Sequence, residues 1–348
     1  MPLIVEGGRV PPRWAMEAIC PPVDPAASVR LDIALINNMP DAALEDTELQ
    51  FFDLLDDASG DLPIYLKLYS LTGIPRTDRG QRHLNSFYYG LDELWQSQFD
   101  GVIITGTEPR QPNLQDEPYW RALADVFDWA ERNTASTILS CLAAHASVLH
   151  SDGIARQRLP DKQFGVFTFA KTASHPITSG TDPQVRFSHS RWNEVRAVDL
   201  MKSGYLVLTQ SAEGGVDTFV KQKKRSLFVH FQGHPEYGAE TLLKEYRRDI
   251  RRYLRKERDT YPTMPQGYFD AQGEKMVTEF RDSVLTLAAV NQQEELMDGF
   301  PEAALAGTLQ KTWHSTAKAI YRNWLRYIVS QKRDRSHLIT AAHENLLR

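Results

Sequence analysis

From residue 29 to residue 150 the chain alternates β-branched runs with amphipathic helical ones. The order is VRLDIALINN, LEDTELQFFDLLDDA, LPIYLKLYSL, LNSFYYGLDELWQSQ, FDGVIITG, PYWRALADVFDWAERN, STILSC and LAAHASVLH. Two parallel strands need a crossover of about a dozen residues, usually a helix. This rhythm therefore predicts βαβ units on a mainly parallel sheet, with helices on both faces. The expected fold class is α/β, doubly wound. At 348 residues and 42% hydrophobic, the chain carries enough apolar surface for a core of that size.

Beyond residue 155 the texture changes. FGVFTFAK, VRFSHSRWNEV, YLVLTQSA, VDTFVKQKK and SLFVHFQG follow closely, with Gly, Pro and polar breaks between them, and predict antiparallel additions to the same sheet. A long helix is expected from about Ala239, carrying ETLLKEYRRDIRRYLRKERD. Its charge run reads first as a solvated face, and secondly as arginines turned toward a ligand. Residues 260–275 read as a loop, followed by helices over about 276–296 and 302–331, the latter ending in the amphipathic AKAIYRNWLRYIVS. PPRW and CPPVDPAAS make residues 1–28 an extended arm, 29–331 the folded domain and 332–348 a tail.

A formal net charge of -5 gives no reason to expect a nucleic-acid partner, since such binders usually concentrate positive charge on one face. Two cysteines, Cys20 and Cys141, form no disulfide framework and no zinc spacing, and no metal-ligand cluster is visible. The start MPLIVEGGRVPPRW lacks the basic and apolar regions of a signal peptide, and no run approaches the roughly 20 apolar residues of a membrane span. The expectation is a cytoplasmic protein working on small molecules.

In STILSCLAAHA, Cys141 falls where a strand turns into a helix. Ligands of open α/β sheets sit at the carboxyl ends of strands, and a helix N-terminus there favours a thiolate. Either the N–H of Cys141 or the next one is placed to meet an oxyanion. The competing reading is an inert cysteine filling a core gap.

A thiol nucleophile needs a base, and the base needs an orienting group. QGHPEYGAETL supplies His234 and Glu236 after the apolar strand SLFVHF, two residues apart in extended backbone, so that both side chains face one side. A polar loop is the plainer reading of this stretch. Among the other histidines, His145 reads as a satisfied structural residue, His189 as a pocket or turn residue and His230 as core.

INNMP, FDGVIITG, the Cys141 elbow, HSRWNEV, GHPEY and NWLRYIV together, in order over about 30–331, resemble the homoserine O-succinyltransferase family. The resemblance implies a class I glutamine amidotransferase-like fold, a flavodoxin-like three-layer sandwich. It also implies transfer of an acyl group from succinyl-CoA or acetyl-CoA, through a thioester on Cys141, to the hydroxyl of homoserine or a close hydroxy amino acid. No bound cofactor is implied, since acyl-CoA is a co-substrate, and a homodimer is expected. In this likeness His234 is the base and Glu236 its orienter. Lys162 (PDKQFGV) is a pocket lysine, Arg248 (EYRRD) holds the acceptor's carboxylate, and Ser190 (HSR) lines the same pocket.

The chain departs from the family pattern in three places. MPDAALEDTELQ is acidic where the family usually carries a lysine pair, TGTEPRQPN brings Glu108 and Arg110 into the donor-selecting loop, and Leu142 follows the nucleophile where Trp is common. Arg110 either pairs with the free carboxylate of a succinyl group or points to solvent. Two other functions remain open at this point. A glutaminase or amidase would use the same Cys-His-Glu set, although LSCLA lacks the glycines of glutaminase elbows. A non-catalytic binding or regulatory homologue would keep the fold without the reaction.

Overall fold

The computed structural model describes residues 3–5, 29–287 and 295–346. Cys20 and most of the expected N-terminal arm lie outside the described residues.

An eight-stranded sheet forms the centre. Its parallel part consists of β1 (Leu3–Val5), β2 (Leu31–Ile36), β3 (Ile64–Tyr69), β4 (Gly101–Ile104), β5 (Ser136–Ser140) and β12 (Ser226–Phe231). They lie in the order β1-β3-β2-β4-β5-β12, and β11 (Thr218–Lys223) and β8 (Leu206–Val207) extend the sheet antiparallel. In the middle of the sheet both faces are covered, which is why STILS and SLFVHF are buried throughout.

Strand periodicity divides the apolar residues between two layers. Leu31, Ile33 and Leu35 of β2 pack with Phe51, Phe52 and Leu55 of α1 (Asp41–Ser59) and with Ile320, Trp324 and Ile328 of α10 (His314–Leu346). Ala34 and Ile36 face the opposite way, onto Leu123 and Phe127 of α4 (Trp120–Asn133) and Ala143 and Ala146 of α5 (Leu142–Asp152). The doubly wound, mainly parallel α/β fold is the one expected. Among the described residues no helix is long and apolar enough to cross a membrane.

Several details differ from the sequence reading. Residues 84–98 are not one helix: α2 (Asp78–Phe87) starts earlier, α3 (Leu91–Gln96) follows, and between them the Tyr89 N–H donates to Leu68 O at 2.8 Å. Thr77 caps α2 by accepting from the Gly80 N–H at 3.2 Å, a start signal that outweighs the apolar period downstream. The later strands do not all join the main sheet. β6 (Gln157–Lys171), β7 (Gln184–Glu194), β9 (Thr209–Ser211) and β10 (Gly215–Val216) form a separate four-stranded antiparallel sheet.

The expected loop 260–275 ends early, because Asp270 caps α8 (Ala271–Leu287) by accepting from the Gly273 N–H at 2.8 Å. The last helix runs on to Leu346, and Leu3–Val5 of the expected arm pairs with Ile64–Leu66. Trp324 and its neighbours Tyr321 and Ile328 are buried in the chain's own core.

Candidate active site

Cys141 occupies the bend between β5 and α5 at φ 51°, ψ -110°. This left-handed backbone is disfavoured for a residue with a Cβ and costs about 1–3 kcal/mol. It lifts a half-buried thiol to the carboxyl edge of the sheet. The Cys141 N–H donates to Phe231 O at 2.8 Å and so belongs to the sheet. Of the two oxyanion donors considered from sequence, only the Leu142 N–H remains, in the first turn of α5 where no intrahelical acceptor exists. Gly106 lies against it: a Cβ there would stand 3.0 Å from Leu142 N and 2.9 Å from Leu142 Cβ. Glycine lets the loop after β4 close onto the helix N-terminus.

His234 and Glu236 follow β12, on the strand beside β5. Their loop is pinned to the second sheet. The His234 N–H donates to Ser188 O at 2.8 Å, the Ser188 hydroxyl donates to His234 O at 2.5 Å, and the Gly233 N–H donates to Asp217 Oδ1 at 2.9 Å. A Cβ at Gly233 would lie 2.7 Å from Ser188 O, so glycine is required for this approach.

His234 Nδ1 lies 2.8 Å from Glu236 Oε1, which also accepts from the Ser140 hydroxyl at 3.0 Å. The imidazole interacts electrostatically with the Cys141 sulfur and is stacked on the Tyr237 ring, with centroids 4.1 Å apart. Burial disfavours a charged imidazole, but the charges of the Cys141 sulfur and the Glu236 carboxylate outweigh it, and His234 is held well above its ordinary pKa.

Lys162, Ser190 and Arg248 meet around two acids that sequence reading passed over, Glu245 and Asp249 of α7 (Thr241–Leu254). Lys162 Nζ lies 2.8 Å from Asp249 Oδ2 and 3.6 Å from Glu245 Oε2, and Arg248 lies 3.3 Å and 3.6 Å from the same two side chains. The Ser190 hydroxyl donates to Glu245, as does the Tyr237 hydroxyl at 2.6 Å. Tyr237 thereby joins this cluster to His234. A register shift between Arg158 and Gln163 of β6, opposite β7, aims Lys162 at α7. Burial pushes both acids up, but Lys162 and Arg248 outweigh it and hold them below the usual carboxylate range. The signal was EYRRD itself, an i, i+4 acid pair inside a run that reads as basic.

The other three histidines weighed from sequence, His145, His230 and His189, are buried. His145 contacts Gln232 Oε1 at 2.9 Å and burial lowers it to about 3. His230 stacks on Phe219, as a core residue does. His189 is neither in a turn nor in a pocket: it is fully buried in β7, 3.2 Å from the Asp217 carboxylate that anchors Gly233.

The family model for homoserine O-succinyltransferase matches residues 26–335. The chain belongs to that family. Homoserine O-succinyltransferases of Rhodopseudomonas palustris and Bradyrhizobium japonicum are each 42% identical to it, covering 90% and 86% of this chain and 92% and 90% of theirs. The enzyme of Methylococcus capsulatus is 37% identical over 85% of this chain and 82% of its own. Solved glutamine amidotransferases from Thermotoga maritima and Methylobacillus flagellatus align with TM-scores of 0.45 and 0.46 at 10% and 14% identity. These two alignments cover 86% of this chain, and 99% and 94% of the solved chains.

A homoserine O-succinyltransferase family member is an acyltransferase, and neither the amidase nor the non-catalytic reading is favoured. The family departures resolve into local structure. Asp41 pairs with Arg76 at 3.1 Å, Glu45 with Arg79 at 2.8 Å and Asp46 with Lys244 at 2.7 Å, so the acidic residues after Pro40 are engaged in ion pairs. Arg110 is exposed and is not brought to the Lys162 cluster; its N–H donates to Glu117 Oε1 at 2.5 Å, which fixes the loop.

Proposed function

We propose that the chain transfers a succinyl group from succinyl-CoA to the hydroxyl of homoserine through a thioester on Cys141. The observation that carries this reading is the position of His234, within the electrostatic reach of the Cys141 sulfur and 2.8 Å from Glu236 Oε1. The Cys141 thiolate attacks the donor carbonyl, and the Leu142 N–H beside Gly106 meets the oxyanion. Coenzyme A leaves with the proton of the imidazolium. Acylation removes the charge on the sulfur, one of the two charges that keep His234 protonated. The neutral imidazole then takes the acceptor's hydroxyl proton, the alkoxide attacks the thioester, and the Cys141 thiolate is expelled.

Arg248 is suited to the acceptor's carboxylate by its forked donors, and the ionised Glu245 and Asp249 to its ammonium group. Residues 29–331 form the catalytic unit on this reading. The donor is a co-substrate, no bound cofactor is required, and the compartment is the reducing cytoplasm.

Intact mass after exposure to succinyl-CoA, and separately to acetyl-CoA, tests the proposal. Succinyl mass should appear on the protein, be absent from Cys141→Ala, and disappear when homoserine is added. Unlabelled protein, or label that persists in the alanine variant, would sink the mechanism; label from acetyl-CoA alone would replace the donor.

A further inference from the structure

Apart from Arg248 and the two acids beside it, the charge run of α7 is not absorbed by the reaction. Lys244, Arg247, Arg248, Arg251, Arg252 and Arg255 recur at spacings of three and one, one stripe of a helix whose other side buries Leu242, Leu243, Tyr246, Ile250 and Leu254. The stripe lines a groove of about 480 Å³ that also contains Glu257 and Glu302. Six cations against two carboxylates in one groove run counter to a chain whose net charge is -5. The helix dipole accounts for little of this: it asks for about half a charge near the last turn, whereas the stripe begins at Lys244, in the first.

Ion pairs use up part of the stripe. Arg247 pairs with Glu302, Lys244 with Asp46 at 2.7 Å, and Arg252 with Glu108 at a long 3.4 Å. Arg251 has no ion pair among the described residues and is exposed. Two chains of contacts lead from the groove toward the candidate active site. Arg248 lines it and reaches Glu245, which joins Tyr237 and His234. Arg252 holds Glu108, two residues beyond the Gly106 that touches Leu142.

We propose that this groove binds the 3′-phosphate and diphosphate of the acyl-CoA donor, with Arg251, Arg252 and Arg255 as the phosphate-facing residues. The proposal rests on the acyltransfer reading above and extends it to the end of the donor remote from the thioester. With the thioester at Cys141, a donor bearing several negative charges must lay its nucleotide outside the carboxyl edge of the sheet. The arginine stripe belongs to α7, which follows the His234 loop at the end of β12, and its guanidinium forks match phosphate oxygens. Displacing the weak Glu108 contact frees Arg252 for the same role.

The test compares kcat/KM on succinyl-CoA with that on S-succinyl-N-acetylcysteamine, a thioester with no nucleotide, for the unaltered chain, Arg251→Gln and Arg251→Gln/Arg255→Gln. Both side chains are exposed, so the variants should fold, and circular dichroism checks this. The preference for succinyl-CoA over the truncated donor should fall about tenfold per lost charge. In the unaltered chain, 3′,5′-ADP should compete with succinyl-CoA. A preference within twofold of the unaltered chain overturns the proposal, as does inhibition by 3′,5′-ADP that is not competitive, which would mark a separate effector site. Calorimetric binding of 3′,5′-ADP reads the groove without turnover: equal affinity in the glutamine variants also overturns it. Failure of both thioesters to acylate Cys141 in the unaltered chain would instead remove the acyltransfer reading.

Discussion

Glu236 accepts from both Ser140 and His234, so it does more than fill a buried corner. Its charge helps hold His234 above its ordinary pKa, against the opposing effect of burial. Glu236→Gln removes that charge and leaves His234 easier to deprotonate. The acid limb of the kcat profile should therefore move to lower pH, while kcat falls by about 10²–10⁴ as the imidazole loses its orientation. A pH-rate profile checks both, and a lower kcat with an unmoved limb would mean that Glu236 is merely structural. Gly106 acts through space rather than charge. In Gly106→Ala the new methyl meets Leu142 at 2.9–3.0 Å and pushes the loop away from the helix N-terminus. Turnover should fall about 10²–10³, the size of a lost oxyanion donor, with KM for the acceptor little changed in steady-state assays.

Elements place these residues, and they were legible to different degrees. Cys141, His234 and Glu236 could be read because apolar strands announce their own ends, and two adjacent parallel strands deliver their end loops to one place. Glu245 and Asp249 could not, since partners from β6 and β7, remote in sequence, turn two acids of a basic run inward. The bulge in β6 that aims Lys162 carries no apolar signal, and the Asp270 and Thr77 caps reset helix starts that periodicity alone misplaced. The inward acids make a pH prediction at this scale. Their folded pKa values are depressed, so their contribution to stability is present above the unfolded values near 4 and is lost as pH falls through the folded ones. Lys162→Met removes a cation that holds both down. Its acid-unfolding midpoint, followed by circular dichroism, should shift to higher pH, and an unshifted midpoint would deny the coupling between β6 and α7.

At the scale of the whole molecule, the last helix determines whether the chain's core is complete without a partner. The sequence motif NWLRYIV was amphipathic enough to suit either a subunit interface or an internal layer. Its outcome depended on the sheet it would meet. Gly101 at the start of β4 decides it: a Cβ there would lie 2.7 Å from Ile328 Cδ1 and 2.9 Å from Trp324 Cζ2, so the strand is cut back to admit this helix. Trp324 is fully buried, and its ring lies 6.1 Å from that of Tyr321, whose protonated hydroxyl is favoured by burial and by the nearby Glu236 charge. Trp324→Ala therefore opens a cavity in the subunit's own core, at a cost of about 3–5 kcal/mol. Denaturant unfolding should show a lower midpoint at an unchanged slope, and the same loss at any protein concentration. An interface tryptophan would behave otherwise: its removal would weaken association, and the midpoint would depend on concentration. Equilibrium unfolding at two concentrations, with sedimentation alongside, separates the cases, and a concentration-dependent midpoint would return the helix to an interface between subunits.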